Sequence, residues 1–366
     1  MSLHGKYTRA LTFENLCKMR GHEVACLVRA NNCTQAVLRL ESALLSARRW
    51  DPLWRARLRV VCGTLGPERF GVEEGEWNEL AASTSLIIHC GATVHLKNDY
   101  HHHRAANVLG TLQVVRLAVE SGARMVNVST TDVIPHAQQD GAAAKEEMAT
   151  IDTVATLVEG KPPDSGYGAS KAVAECLVDD AIRRGLIEGV TVRLGMVVAD
   201  SRSGVCAPSD FVSRLLIGIA WTESFPHTSD RHTMVHSLPV DVTARAVVDV
   251  AESAASGCVH LVSGATLQTM AELRESLVAF GAPFHSLPLL PFKEWMERVR
   301  LDAALVLWPT LSWAAKGTEF PVFNQRKVVL SERCLQFVGP DTEMALRRGF
   351  DRPALHTMLR GLFSGV

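Results

Sequence analysis

Five short runs of largely continuous apolar character recur through the first half of the chain. They are Val24–Val28, Leu58–Cys62, Leu86–His89, Met125–Val128 and Val190–Leu194. A strand with one face in water alternates apolar and polar residues, whereas a strand covered on both faces does not. Between the runs lie helical patterns: Thr34–Arg49, Ala105–Ser121 closing at Gly122, and Ser170–Arg184 closing at Gly185. Strands alternating with helices predict βαβ units, hence an α/β fold on a doubly wound parallel sheet. Asp241–Ser256 reads as a further helix with Asp241 as its N-cap, and Val259–Val262 as one more strand.

The chain has 366 residues, enough for two lobes. The expected division is a first domain over 1–200, completed by 238–264, and a smaller lobe from 201–237 and 265–366. The balance of 38 Lys+Arg against 39 Asp+Glu argues against a protein that neutralises a phosphate backbone, so no nucleic-acid partner is expected. The Arg-rich stretch Arg48–Arg59, with Trp50 and Trp54, reads as a charged helix face beside two buried indoles. Nine cysteines with no C-x-x-C pair argue against a disulfide framework and a zinc site. His95 and His101–His103 read as a solvated turn, so no metal is expected. With no apolar leader and no spanning apolar run, the expected location is cytoplasmic, without a membrane span.

Tyr167 and Lys171 stand four residues apart where a helix is expected, which puts them one turn apart on one face. Free tyrosine, with a pKa near ~10, is a poor proton donor at neutral pH. A neighbouring ammonium favours the phenolate, so Lys171 is expected to lower the Tyr167 pKa and fit it for proton transfer to a carbonyl oxygen. Thr130 falls just past the Met125–Val128 strand, at the carboxyl edge of the sheet where ligands bind. Its hydroxyl can give that oxygen a second hydrogen bond or, in the plainer reading, cap a turn.

Thr130, Tyr167 and Lys171 in this order resemble the extended short-chain dehydrogenase/reductases, and more narrowly the thioester reductase domain family. That group comprises terminal reductase domains of nonribosomal peptide synthetases, polyketide synthases and carboxylic acid reductases, and is related to fatty acyl-CoA reductases. The resemblance runs from about Gly21 to Thr310. It is carried by His89-Cys90-Gly91-Ala92, Asn107-Val108-Leu109-Gly110-Thr111, Gly166–Lys171, Ser201-Arg202-Ser203-Gly204, Asp210-Phe211 and Pro239-Val240-Asp241. It implies a Rossmann-like NADP-binding domain with a substrate-binding lobe. It further implies NADPH-dependent reduction of an acyl thioester, borne by a phosphopantetheinyl carrier protein or by CoA, to an aldehyde or on to an alcohol. Thr130, Tyr167 and Lys171 would be catalytic, with Lys171 also touching the nicotinamide ribose.

Cofactor contacts are expected from Gly91, Ala92 and Asn107, and from Arg29 and Arg39 toward a ribose 2′-phosphate, which arginine accommodates and an acidic residue would not. Asn107 could equally order backbone near the site. The family's G-x-x-G-x-x-G loop would fall on His4, Tyr7 and Ala10, so the first strand and the glycine-rich loop are expected to be missing. Gly63-Thr64-Leu65, Arg193-Leu194-Gly195 and Ala172 also depart from the family pattern. Two alternatives stay open: a catalytically silent or truncated module that binds carrier proteins, and a sugar-nucleotide epimerase or dehydrogenase of the same fold.

Overall fold

The computed structural model describes residues 22–95, 98–134, 163, 165–207, 210–227, 237–263, 269–301 and 332–363. The expected absence of a first strand and glycine-rich loop falls on residues 1–21 and lies outside them.

The centre is a four-stranded parallel sheet of β3 (Leu86–His89), β4 (Arg124–Thr130), β5 (Gly189–Leu194) and β9 (Gly257–Leu261), in the spatial order β3-β4-β5-β9. A separate parallel pair joins β1 (Val24–Val28) to β2 (Leu58–Cys62), register Val24 to Leu58. Every ladder in both sheets is parallel. This is the expected doubly wound, Rossmann-like α/β fold. β5 is buried along its whole length, the outcome that an unalternating run predicts.

Helices α1 (Cys33–Ser46) and α2 (Glu74–Ser83) cross between β1, β2 and β3. After β3 comes α3 (Tyr100–His103), which passes through a π-helical stretch, Arg104–Leu109, into α4 (Gly110–Ser121). The long α5 (Gly166–Arg183) returns the chain to β5. Leu27 and Val61 of the pair share an apolar layer with Trp77, Val115, Met125 and Val178, so α2, α4 and α5 bind the two sheets together.

Beyond β5 the chain forms β6 (Met196–Val198), α6 (Phe211–Thr222), β7 (Phe225–Pro226) and β8 (Ser237–Pro239). It then returns to the central sheet through α7 (Val240–Glu252) and β9. Next come α8 (Met270–Phe280), β10 (Leu289–Leu290), α9 (Phe292–Leu301), α10 (Glu332–Leu335), α11 (Pro340–Arg348) and α12 (Arg352–Phe363). A second apolar core gathers Phe211, Leu215, Phe284, Trp295, Leu355 and Met358. Cys334, Leu335 and Leu346 instead pack with Val247 and Val259 against the central sheet.

Three local expectations are corrected. The cap position of α7 is Pro239, without a side-chain bond; the Asp241 carboxylate accepts from Ser201 N and Oγ at 2.9 and 2.7 Å. α5 starts at Gly166, not Ser170, because Ser165 Oγ accepts from Gly168 N at 2.8 Å and caps it. The arginines of Arg48–Arg59 do not form one helix face. Arg49 meets Asp200, Arg55 meets Glu41 and Arg59 meets Glu79.

Candidate active site

Tyr167 lies in the first turn of α5 and Lys171 in the second, so the predicted one-turn spacing is realised. Two glycines let the start of α5 approach its neighbours. A Cβ on Gly166 would stand 2.4 Å from Asn98 O, just before α3, and one on Gly168 would stand 2.4 Å from Asp132 O, just after β4. The Tyr167 ring meets the His103 ring edge-on at 6.0 Å.

Thr130 ends β4. Its Oγ1 accepts from Asp132 N at 3.2 Å and caps the short 3-10 turn Thr131–Val133. The plainer capping role is therefore present, and it leaves the Thr130 O–H able to donate elsewhere. Asp132 links this turn to α5, because Ser165 Oγ donates to its carboxylate at 3.0 Å. Lys171 is 2% exposed and donates from Nζ to Val128 O at 2.8 Å. Thr130, Tyr167 and Lys171 are thus brought to one place, where the carboxyl end of β4 meets the start of α5.

Asn107 sits in the π-helical stretch, a distortion that often marks functional sites. Its Oδ1 accepts from Thr93 N at 2.7 Å. Its Nδ2 donates to Thr93 O at 3.0 Å and to Ser170 Oγ at 2.9 Å. It therefore orders the loop after β3, which carries Gly91 and Ala92, and ties that loop to α5. A Cβ on Gly91 would come within 2.7 Å of the Leu65 side chain.

The electrostatics correct one expectation. Burial, with the Asp132 carboxylate second, pushes the Tyr167 phenol above its ordinary value, not below it. Burial also draws Lys171 down to about 8, while Glu175 acts in the opposite direction. Spacing alone could not show that Lys171 is buried and Tyr167 half-buried.

Several features bear on a bound dinucleotide. Ser129 Oγ is buried beside Thr130 with no hydrogen-bond partner among the described residues, so a polar acceptor or donor is wanted there. Arg29 and Arg39 are both exposed beyond β1, with Arg39 Nη1 on the Arg29 carbonyl at 2.5 Å. The Arg39 guanidinium is thus drawn to the end of β1, where Arg29 stands. His101 and His102 are exposed and His103 is buried. No cluster of three or more potential metal ligands occurs among the described residues.

Sequence reasoning missed Ser129, Ser170, His103 and the buried trio Glu175, Arg193 and His260. Glu175 had a signal, since it follows Lys171 by one more helical turn. Arg193 had another, as a charge inside an otherwise apolar run.

Residues 10–247 match the family described as male sterility protein, an NAD-binding family. Among curated relatives, an aldehyde reductase of Aspergillus flavus is 30% identical over 83% of this chain and 31% of its own length. The large subunit of an L-2-aminoadipate reductase from Penicillium chrysogenum is 34% identical over 63% of this chain and 16% of its own. The chain thus spans about a third or less of these relatives. Among solved structures, the terminal R domain of the myxalamid PKS-NRPS pathway superposes with a TM-score of 0.81 at 26% identity. The alignment covers 98% of this chain and 88% of that one. The reductase domain of a nonribosomal peptide synthetase from Mycobacterium tuberculosis, at 22% identity and TM-score 0.73, covers 98% and 90% and shares the fold.

Proposed function

Since the chain belongs to the male sterility protein family of NAD-binding proteins and to its thioester reductase group, we propose that it reduces an acyl thioester to an aldehyde. The single observation that carries this reading is the convergence of Thr130, Tyr167 and Lys171 at the carboxyl edge of β4. A nicotinamide cofactor, NADPH in this reading, supplies the hydride when bound. Arg29 and Arg39 hold its 2′-phosphate, and Gly91, Ala92 and Asn107 shape the loop against which it lies.

The chain's own residues then manage charge and protons. Thr130 Oγ1, whose lone pair is engaged by Asp132 N, points its remaining O–H at the carbonyl oxygen. Tyr167 gives the second hydrogen bond and delivers its proton as negative charge builds on that oxygen. A phenol held above its ordinary pKa suits the role of acid, because it arrives protonated. Lys171, as ammonium, stabilises the phenolate left behind. The tetrahedral adduct expels the thiol and leaves the aldehyde.

We assign the acyl substrate to a phosphopantetheinyl carrier protein or to CoA. The lobe expected from 201–237 and 265–366 is the substrate side. Its turn after Asp200 is closed by Gly204, at φ 68°, where a Cβ would strike Thr357 O on α12 at 2.2 Å. Among the described residues no helix is long and apolar enough to cross a membrane.

The test is product analysis. The full chain is incubated with an acyl-carrier protein and NADPH, and aldehyde is trapped as a hydrazone. Trapped aldehyde together with free pantetheine thiol supports the reading. Carrier binding without thiol release by a folded sample would instead fit a silent docking module.

A further inference from the structure

Below the site lies a buried charge cluster that the proposed reaction does not use. Glu175 follows Lys171 by one turn of α5, on the same buried face. Arg193 lies inside β5, whose six residues are all buried. Its Nε donates to Glu175 Oε1 and Oε2 at 3.1 and 3.2 Å, and its Nη2 donates to Oε2 at 2.7 Å. Its Nη1 donates to His260 Nε2 at 3.4 Å, with His260 on β9. The three side chains belong to residues between 1% and 4% exposed.

Among the described residues the charges of this cluster do not balance. Burial and Arg193 hold the His260 imidazole far down, at about 3, so it is neutral. Cys90 faces Lys171, and Cys176 and Cys258 face Arg193. Burial pushes the Cys258 thiol up to about 12, so it adds no charge. Tyr167, with Asp132 beyond it, stays a neutral phenol. Among the described residues one carboxylate therefore serves two buried cations. A guanidinium does not release its proton in a protein, so Lys171 is the cation whose charge depends on the sharing.

We propose that Glu175, held in place by Arg193, is a positioning residue for the reaction: it keeps Lys171 cationic beside Tyr167, and Arg193 limits how strongly it does so. This rests on the reading of Lys171 as the partner of Tyr167. Glu175 supplies the attraction that offsets the desolvation of the ammonium. Arg193 fixes the carboxylate on the side away from Tyr167 and adds a repelling charge.

The test follows the Lys171 ammonium by NMR in the full chain labelled with 13C,15N-lysine, without cofactor or substrate. The resonance is assigned by its loss in Lys171→Met. Glu175→Gln, which keeps shape and an acceptor for Arg193, is expected to lower the Lys171 titration midpoint by about one pH unit or more. The double variant Glu175→Gln/Arg193→Gln loses the repelling charge as well, so its midpoint should fall between the single variant and the parent. It also carries the test if the single variant does not fold, since it removes the guanidinium charge that the single variant leaves without its carboxylate. A midpoint unchanged from the parent in either folded variant overturns the proposal and leaves a purely structural ion pair. The readout needs no turnover, so it stands apart from whether the parent chain reduces thioesters.

Discussion

Lys171 donates from its ammonium to the carbonyl oxygen of Val128 at 2.8 Å, and Val128 stands two residues before Thr130 on β4. The bond fixes the second turn of α5 to the strand that carries the other proposed donor. Asn107 makes the matching tie on the opposite side, from the loop after β3 to Ser170. Together they hold the Tyr167 helix between two neighbouring strand ends of the sheet.

The charge state of Lys171 predicts a pH dependence. Its buried value is about 8 against an ordinary 10.5. Activity that needs the ammonium should therefore fall as pH rises through about 8. Stability moves the other way. Between those two values the unfolded chain binds more protons than the folded one, so this group's contribution rises with pH there, by roughly 3 kcal/mol at its limit. Urea denaturation of parent and Lys171→Met at pH 7 and 10 checks the sign: the variant should lack this increment.

His260 predicts an acid effect. Held at about 3 against an ordinary 6.5, it contributes stability that is present above 6.5 and is lost as pH falls from there toward 3. His260→Gln keeps an acceptor for Arg193 and has no proton to take up. Its stability should decline less between pH 7 and 4 than that of the parent, measured by denaturant midpoint.

Gly166 predicts a packing effect. A Cβ there would meet the backbone of Asn98, Asp99 and Tyr100, none of which can rotate away. Gly166→Ala should cost about 1–3 kcal/mol in unfolding free energy. It should also loosen the contact between the starts of α3 and α5. Gly75, where a Cβ would meet nothing within 4 Å, is the control position: Gly75→Ala should be harmless.

Arg29 and Arg39 predict cofactor preference. If they hold a 2′-phosphate, replacing both by alanine should raise the Michaelis constant for NADPH by about tenfold or more, since a charge-assisted hydrogen bond is worth ~1.5–3 kcal/mol. The constant for NADH should hardly move. Equal loss for both cofactors would place the phosphate elsewhere.

Much of this was legible in the amino-acid order. The runs at Val24, Leu58 and Leu86 became strands with the same ends, although most of their residues are half-buried and it is β5 that is buried along its whole length. β4 outran its apolar stretch, since the ladder to β5 continues through Ser129 and Thr130 to Leu194. That extension is what brings the polar pair into the site. The start of α5 was misplaced because Ser165 acts as cap through a side-chain bond that spacing does not reveal. The direction of the Tyr167 shift was misread for a related reason. The i, i+4 spacing shows that Lys171 is near, but not that Lys171 is buried and Tyr167 half-buried. The charge of Arg193 inside an apolar run is accounted for by Glu175, which lies against it on α5.

The central claim, that Tyr167 is the proton donor in reduction of an acyl thioester, is tested most directly by thioester-dependent loss of NADPH absorbance in the parent chain and in Tyr167→Phe. The phenylalanine ring keeps the edge-on contact with His103 and lacks the hydroxyl. The expected result is turnover in the parent and a loss of about 10²–10⁴-fold in the variant, with fold and NADPH affinity unchanged. Equal rates in the two proteins would contradict the claim.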